Sequence, residues 1–145
     1  MGTWGPGPFE NDCAWDYLGE IEDPDPAVRT TVAARFFDDV ASDPSYLQVD
    51  DGQSVVALAA LMVLHLPDAA SATLVARPPQ FPEGVTTIDV NDGLCSTAVR
   101  ALDRIMADDS ELAQLWDGDE VFVATVAQIR NVLTRPSPNS AQAEA

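Results

Sequence analysis

The sequence predicts a mainly α-helical fold, arranged as a compact single domain of several helices. Apolar residues recur three and four positions apart in at least five segments, which is the spacing of one helix face. Aspartate, asparagine or serine precedes most of these segments, as N-caps do. Hydrophobic residues make up 46% of the 145 residues, which is typical of a globular chain. We predict one helical domain over residues 1–135 and a disordered polar tail over residues 136–145.

The chain begins with an irregular arm in which glycines and prolines alternate around two large aromatic residues, Trp4 and Phe9. Disordered tails rarely carry such side chains. We therefore expect Trp4 and Phe9 to anchor the arm on the core, and Trp116 to be a third structural anchor. Asn11 or Asp12 can then cap a short helix.

The second helix has clear boundary signals. Asp25-Pro26 combines an N-cap acceptor with proline at the first helical position, and Asp43-Pro44 ends the helix. Tyr46-Leu47 fits a single turn that follows. The predicted buried stripe, widened by Ala33 and Phe37, consists of Val28, Val32, Phe36 and Val40.

The third helix, residues 52–66, is apolar almost all round, which predicts a central position. Asp50 or Asp51 is its expected cap, and Pro67 closes it. The pattern is weakest over residues 68–90, where residues 86–90 could pair as a minor short strand or simply pack.

Three helices complete the pattern. Residues 89–92 cap the first of them, and Ser110 caps a short second one that carries Leu112, Leu115 and Trp116. The turn at residues 117–119 leads into the last helix. The apolar faces of the first and last of these helices are Leu94, Ala98, Leu102 and Ile105, and Phe122, Val126, Ile129 and Leu133.

The charge is strongly acidic. Twenty-four acids face seven arginines and no lysine, which gives a net charge of −17. Because phosphates are bound by lysine and arginine, this composition excludes a general nucleic-acid-backbone binder and disfavours anionic membranes. A basic protein partner, a metal cation or plain solubility remains open. A biased genome composition also explains the charge.

No catalytic set, cofactor motif or metal-ligand set is present in the sequence. Cys13 and Cys95 lack a metal or redox spacing, and with no export signal they are expected as free thiols in the cytoplasm. His65, the single histidine, lies near the end of an apolar helix. Residues 89–93 resemble the start of a calcium loop, but glycine stands in the fifth place and arginine in the twelfth, so capping is the better interpretation.

The N-terminal string is the best candidate for a binding site. It contains Glu10, Asn11 and Asp12, with Asp16 one turn later. Capping of the first helix and complementing its dipole explain these residues equally simply, and we favour that interpretation.

The opening residues 1–12, followed by Ala14, Asp16 and Leu18, resemble the bacterial family called domain of unknown function 4259. The alanine-rich helix after Asp51-Gly52 and residues 110–116 fit that family as well. The resemblance covers about residues 1–134. It implies no activity, so it assigns no functional residue.

Two functional hypotheses follow. In the first, a non-catalytic interaction domain binds a basic protein with its acidic surface, as immunity proteins that neutralise nuclease toxins do; DNA mimicry belongs to this class. The alternative is a small hydrolase-like enzyme that uses Glu10, Asp12 and Asp16 near the arm. Acids gathered in a concave pocket would favour the enzyme, and acids spread over a convex face would favour the binder.

We expect Trp4→Ala to lower the free energy of unfolding by about 3–5 kcal/mol, because a large aromatic side chain would be lost from the core. Urea unfolding measures the change. A loss below about 1 kcal/mol would show that the arm is exposed to solvent.

Overall fold

The computed structural model describes residues 7–9, 14, 25–66, 72–75 and 88–134, and this part of the chain is mainly helical, as predicted. No helix within these ranges is long and apolar enough to cross a bilayer. The helices are α1 (Pro26–Ser42), α2 (Val49–Leu64), α3 (Asp92–Ile105), α4 (Glu111–Leu115) and α5 (Glu120–Thr134).

Helix α2 is the centre of the fold. Every residue from Gly52 to Val63 is buried, and the other four helices all contact α2. The predicted central position is therefore confirmed. The helix begins at Val49 rather than after Asp50 or Asp51. The carboxylate of Glu111 in α4 accepts a hydrogen bond from the Val49 backbone N–H at 2.7 Å, so a distant side chain satisfies the helix start.

Helix α1 begins as predicted, but its predicted buried stripe is only partly correct. The Asp25 carboxylate accepts a hydrogen bond from the Ala27 N–H at 2.9 Å. Val28 and Val32 are 43% and 44% exposed, whereas the buried face consists of Arg29, Ala33, Phe37 and Val40. The helix is rotated about its axis relative to the predicted orientation. This is because α1 packs mainly against α3, with the small Ala33 in the buried face.

The segment before α3 is joined to α1 by a side chain rather than by strand pairing. The Thr30 hydroxyl donates to the Asp89 carbonyl at 2.6 Å. Residues 88–90 have no strand conformation, so the short strand predicted at 86–90 is not found there; residues 86 and 87 lie outside the described ranges. Asn91 caps α3 by accepting from the Leu94 N–H at 2.8 Å. The buried face of α3 holds the predicted apolar residues and also Ala101.

The connection from α1 to α2 contains a β-bridge instead of the expected helical turn. Leu47 pairs in parallel with Ser110. The Leu47 N–H donates to the Asp109 carbonyl at 2.9 Å, and the Glu111 N–H donates to the Leu47 carbonyl at 2.8 Å. This bridge places α4 directly against the first turn of α2.

At the N-terminus, Phe9 is 6% exposed and Ala14 is fully buried and helical. Trp4 in the arm lies outside the described residues, and so does the rest of the predicted first helix.

Gly52 is the point of closest approach between α2 and α4. A Cβ atom at Gly52 would lie 2.8 Å from the Leu112 Cβ and 2.9 Å from its Cδ2. We expect Gly52→Ala to lower the free energy of unfolding by about 1–2 kcal/mol in urea, because overpacking outweighs the helix-propensity gain.

Gly93→Ala in α3 is the matched control. A Cβ atom there meets only the Asn91 Oδ1, at 3.3 Å. We expect Gly93→Ala to stay within about 0.5 kcal/mol of the wild type. If Gly52→Ala were the more stable of the two variants, the close approach at Leu112 would not limit the packing of α4.

Candidate functional site

An open groove of about 470 Å³ lies where the end of α3, helix α4 and the start of α5 meet. Met106, Ala113 and Val123 contribute apolar wall, and Asp108 and Asp117 contribute carboxylates. None of the residues that line the groove is basic. Its size is within the range of ligand-binding clefts.

The groove has an aromatic pair in its lining. The rings of Trp116 and Phe122 stack with centroids 6.3 Å apart and planes 21° apart. Phe122 is 3% exposed, whereas Trp116 is only partly buried. The pair forms because the chain turns sharply between the two helices: Gly118 has a φ of 79°, and the Asp119 carboxylate caps α5 by accepting from the Phe122 N–H at 2.9 Å.

Gln114 fixes one side of the groove. Its Oε1 accepts a hydrogen bond from the Tyr46 hydroxyl at 2.7 Å, and its Nε2 donates to the Asp108 carbonyl at 3.0 Å. These two bonds connect the loop before α2, the loop before α4 and α4 itself. The backbone next to the Asp108 carboxylate is thereby held in place.

Arg104 forms hydrogen bonds with the same loops, and its side chain is only 12% exposed. Its Nε donates to the Asp43 carbonyl at 3.1 Å, and its Nη2 donates to the Ser45 carbonyl at 2.6 Å. Its Nη1 pairs with the Asp109 carboxylate at 2.9 Å. One guanidinium therefore holds the end of α1 against the loop that enters α4.

The groove lies in an acidic part of the chain. Between Arg104 and Arg130 the sequence contains no basic residue but six acids, which are Asp108, Asp109, Glu111, Asp117, Asp119 and Glu120. Asp109, Glu111 and Asp119 hold the fold through the contacts given above. The carboxylates of the other three are exposed and make no hydrogen bond or ion pair with the described part of the chain.

Three of the seven arginines make ion pairs within the described part of the chain. Arg100 pairs with Asp38 at 3.2 Å, and Arg130 pairs with Asp103 at 2.8 Å. Together with the Arg104 bonds to the Asp43 and Ser45 carbonyls, these pairs join helices or loops that are distant in sequence. None of these three arginines lines the groove.

Two carboxyl groups near the α1–α2 connection have shifted pKa values. Burial, then the charges of Asp50 and Asp43, raise the pKa of Asp51 above its ordinary value. Hydrogen bonds from the Ser45 hydroxyl and N–H lower the pKa of Asp43. The Asp43 carboxylate therefore favours folding above its ordinary pKa, and this contribution is lost as the pH falls through the lowered value.

Three apolar side chains in α4 and α5 are about half exposed. Leu115 is 53% exposed, Val121 51% and Val123 48%. Leu115 and Val121 adjoin groove residues in sequence, and Val123 lines the groove itself. Leu115 lies in the short helix α4, as predicted, and its side chain is exposed.

The four predicted binding residues, Glu10, Asn11, Asp12 and Asp16, lie outside the described part of the chain and stay a prediction. Trp116, predicted as an anchor, stacks on Phe122 in the groove wall. Sequence reasoning missed Gln114 and treated Asp117 only as a turn residue. The signal that could have found this region is the run of six acids without a basic residue.

Metal and thiol chemistry have little support in the described ranges. No group of three or more histidine, cysteine or acidic residues there has the arrangement of a metal site. The Cys95 thiol is free and partly buried, and burial followed by the charge of Asp92 raises its pKa. A raised pKa lowers the thiolate fraction and with it the reactivity of this cysteine.

We expect Arg104→Lys to lower the free energy of unfolding by about 1–3 kcal/mol, because one ammonium group cannot reproduce the planar fork that meets two carbonyls and a carboxylate. Arg100→Lys is the control, since the Arg100 side chain is 52% exposed and makes one ion pair. Its expected cost is below about 1 kcal/mol. Equal losses in urea unfolding would show that Arg104 does not organise these loops.

No curated protein and no solved structure matches the chain. A family model described as a domain of unknown function (DUF4259) matches residues 2–135. This range includes every element of the fold and the whole groove. The chain belongs to the DUF4259 family.

Proposed function

We propose that this protein is a non-catalytic interaction domain that binds a positively charged protein partner through its acidic surface. Neutralisation of a basic toxin, as immunity proteins achieve it, is one role of this kind. The observation that carries the proposal is the stretch from residue 105 to residue 129, which holds six acids and no basic residue. The free thiol of Cys95 suits a reducing compartment, and we propose the cytoplasm.

The positions of the charged residues, and not only the net charge, support this proposal. On a surface where acids and arginines alternate, neighbouring opposite charges would largely cancel each other's electrostatic potential. Here Asp108 before α4, Asp117 in the α4–α5 connection and Glu120 at the start of α5 are all exposed, and both flanking arginines are already paired with acids. Complementary charge of this kind mainly accelerates association with a basic partner.

The partner is found by affinity capture from the native cell, and its association with the purified protein is then followed by stopped flow. We expect a captured protein with net positive charge. Its association rate constant should fall at least tenfold between about 20 and 200 mM salt, because the Debye length shortens to about 8 Å near physiological salt, while dissociation changes less.

Two double variants with the same change in net charge test whether the groove carboxylates are the ones that accelerate association. Asp108→Asn with Asp117→Asn removes two unpaired carboxylates from the groove. Asp39→Asn with Asp89→Asn removes two exposed carboxylates that lie outside it. Asp38 and Asp109 are left intact because they pair with Arg100 and Arg104.

We expect the groove variant to slow association several-fold more than the control variant at low salt. Circular dichroism and urea unfolding verify that both variants remain folded. An association rate that ignores both the salt concentration and these substitutions would show that the charge serves solubility alone, and the proposed function would then be wrong.

A further inference from the structure

We infer that the groove between α4 and α5 seats an arginine side chain of the basic partner, stacked against Trp116 and flanked by the carboxylates of Asp108 and Asp117. This inference rests on the proposed function and names the surface that carries it. The groove combines an aromatic ring, apolar walls and carboxylates, and it has no positive charge in its lining.

The chemistry of the lining favours arginine over other side chains. A guanidinium group stacks on an aromatic face and forms planar paired hydrogen bonds with carboxylates, whereas an ammonium group is a strongly hydrated point charge. The three methylene groups of arginine can lie along Met106 and Val123 while the charge stays near the rim. Trp116 is the partly exposed member of the aromatic pair, and tryptophan is the strongest of the aromatic residues in cation–π contacts.

The groove is held in shape by bonds that do not depend on a ligand. Gln114 fixes the Asp108 backbone and Asp119 caps α5, while the buried Phe122 stacks with the Trp116 ring. A preorganised site loses less conformational entropy on binding. The half-exposed Val123 in its lining adds apolar contact area, which suits an amphipathic segment of a protein rather than a small cation.

A second copy of the chain is a poor occupant. Each copy carries a net charge of −17, so two acidic surfaces would repel each other at the groove. The exposed apolar residues and the acidic rim instead complement a segment that presents both leucine-like side chains and positive charge.

The probe is a synthetic peptide of about 18 residues, with arginines and leucines at helical spacing, which is long enough to form a helix on binding. A second peptide has lysine in place of every arginine, and a third has glutamine. Affinities are measured by calorimetry with the full-length wild type, with Trp116→Leu and Trp116→Phe, and with the Asp39→Asn, Asp89→Asn control.

We expect the wild type to bind the arginine peptide about two- to fivefold more tightly than the lysine peptide, and the glutamine peptide far more weakly. Trp116→Leu should abolish the preference for arginine, Trp116→Phe should retain part of it, and the Asp39, Asp89 control should retain all of it. If Trp116→Phe retains part of the arginine preference, the loss in Trp116→Leu is due to the missing aromatic ring and not to unfolding.

Equal binding of the arginine and lysine peptides by the wild type, or an arginine preference that survives Trp116→Leu, would overturn the groove assignment while leaving an acidic surface that binds basic proteins. Failure of both cationic peptides to bind at low salt would contradict the proposed function and the groove assignment together. Dimerisation in sedimentation velocity that Trp116→Leu abolishes would identify a second copy as the occupant and would also overturn the inference.

Discussion

The burial of α2 on all sides is the constraint on which the rest of the structure depends. A helix that is apolar around its whole circumference must be surrounded, and the described helices accordingly all contact it. Near its first turn the space is closed by α4, which can approach only because Gly52 has no side chain. The short length of α4, five residues, then leaves the start of α5 and the Trp116 ring incompletely covered. The groove is thus a consequence of how the central helix is enclosed.

Local signals in the sequence predicted most helix boundaries because these depend on nearby atoms. Asp25, Asn91 and Ser110 all cap the helices they precede. The face that α1 buries could not be predicted as securely, because Val28 and Val32 on one side and Ala33 and Phe37 on the other both have helical spacing. Packing against α3 decides between them, and this choice depends on residues far along the chain.

The parts of the site that escaped prediction depend on contacts between distant segments. Leu47 pairs with Ser110, and Tyr46 reaches Gln114, so neither contact follows from local spacing. The acidity of the region is visible in the sequence, but no local pattern predicts that Asp108 and Asp117 line one groove with an aromatic pair. A run of acids reads as a solvated surface until the fold shows which side chains it surrounds.

The positions of the arginines distinguish charges that take part in tertiary contacts from charges that are only exposed on the surface. Arg100 and Arg130 each pair with a carboxylate on a distant segment, and Arg104 donates to the Asp43 and Ser45 carbonyls, so all three arginines contribute to tertiary contacts. A protein with an acidic composition needed only for solubility could distribute its few arginines anywhere on the surface. Here Arg104 and Arg130, which border the acidic stretch, are both paired with acids, and no arginine lies between them. The two arginines nearest to the groove in sequence are therefore already used in the contacts that join α3 to α5 and to the loop before α4.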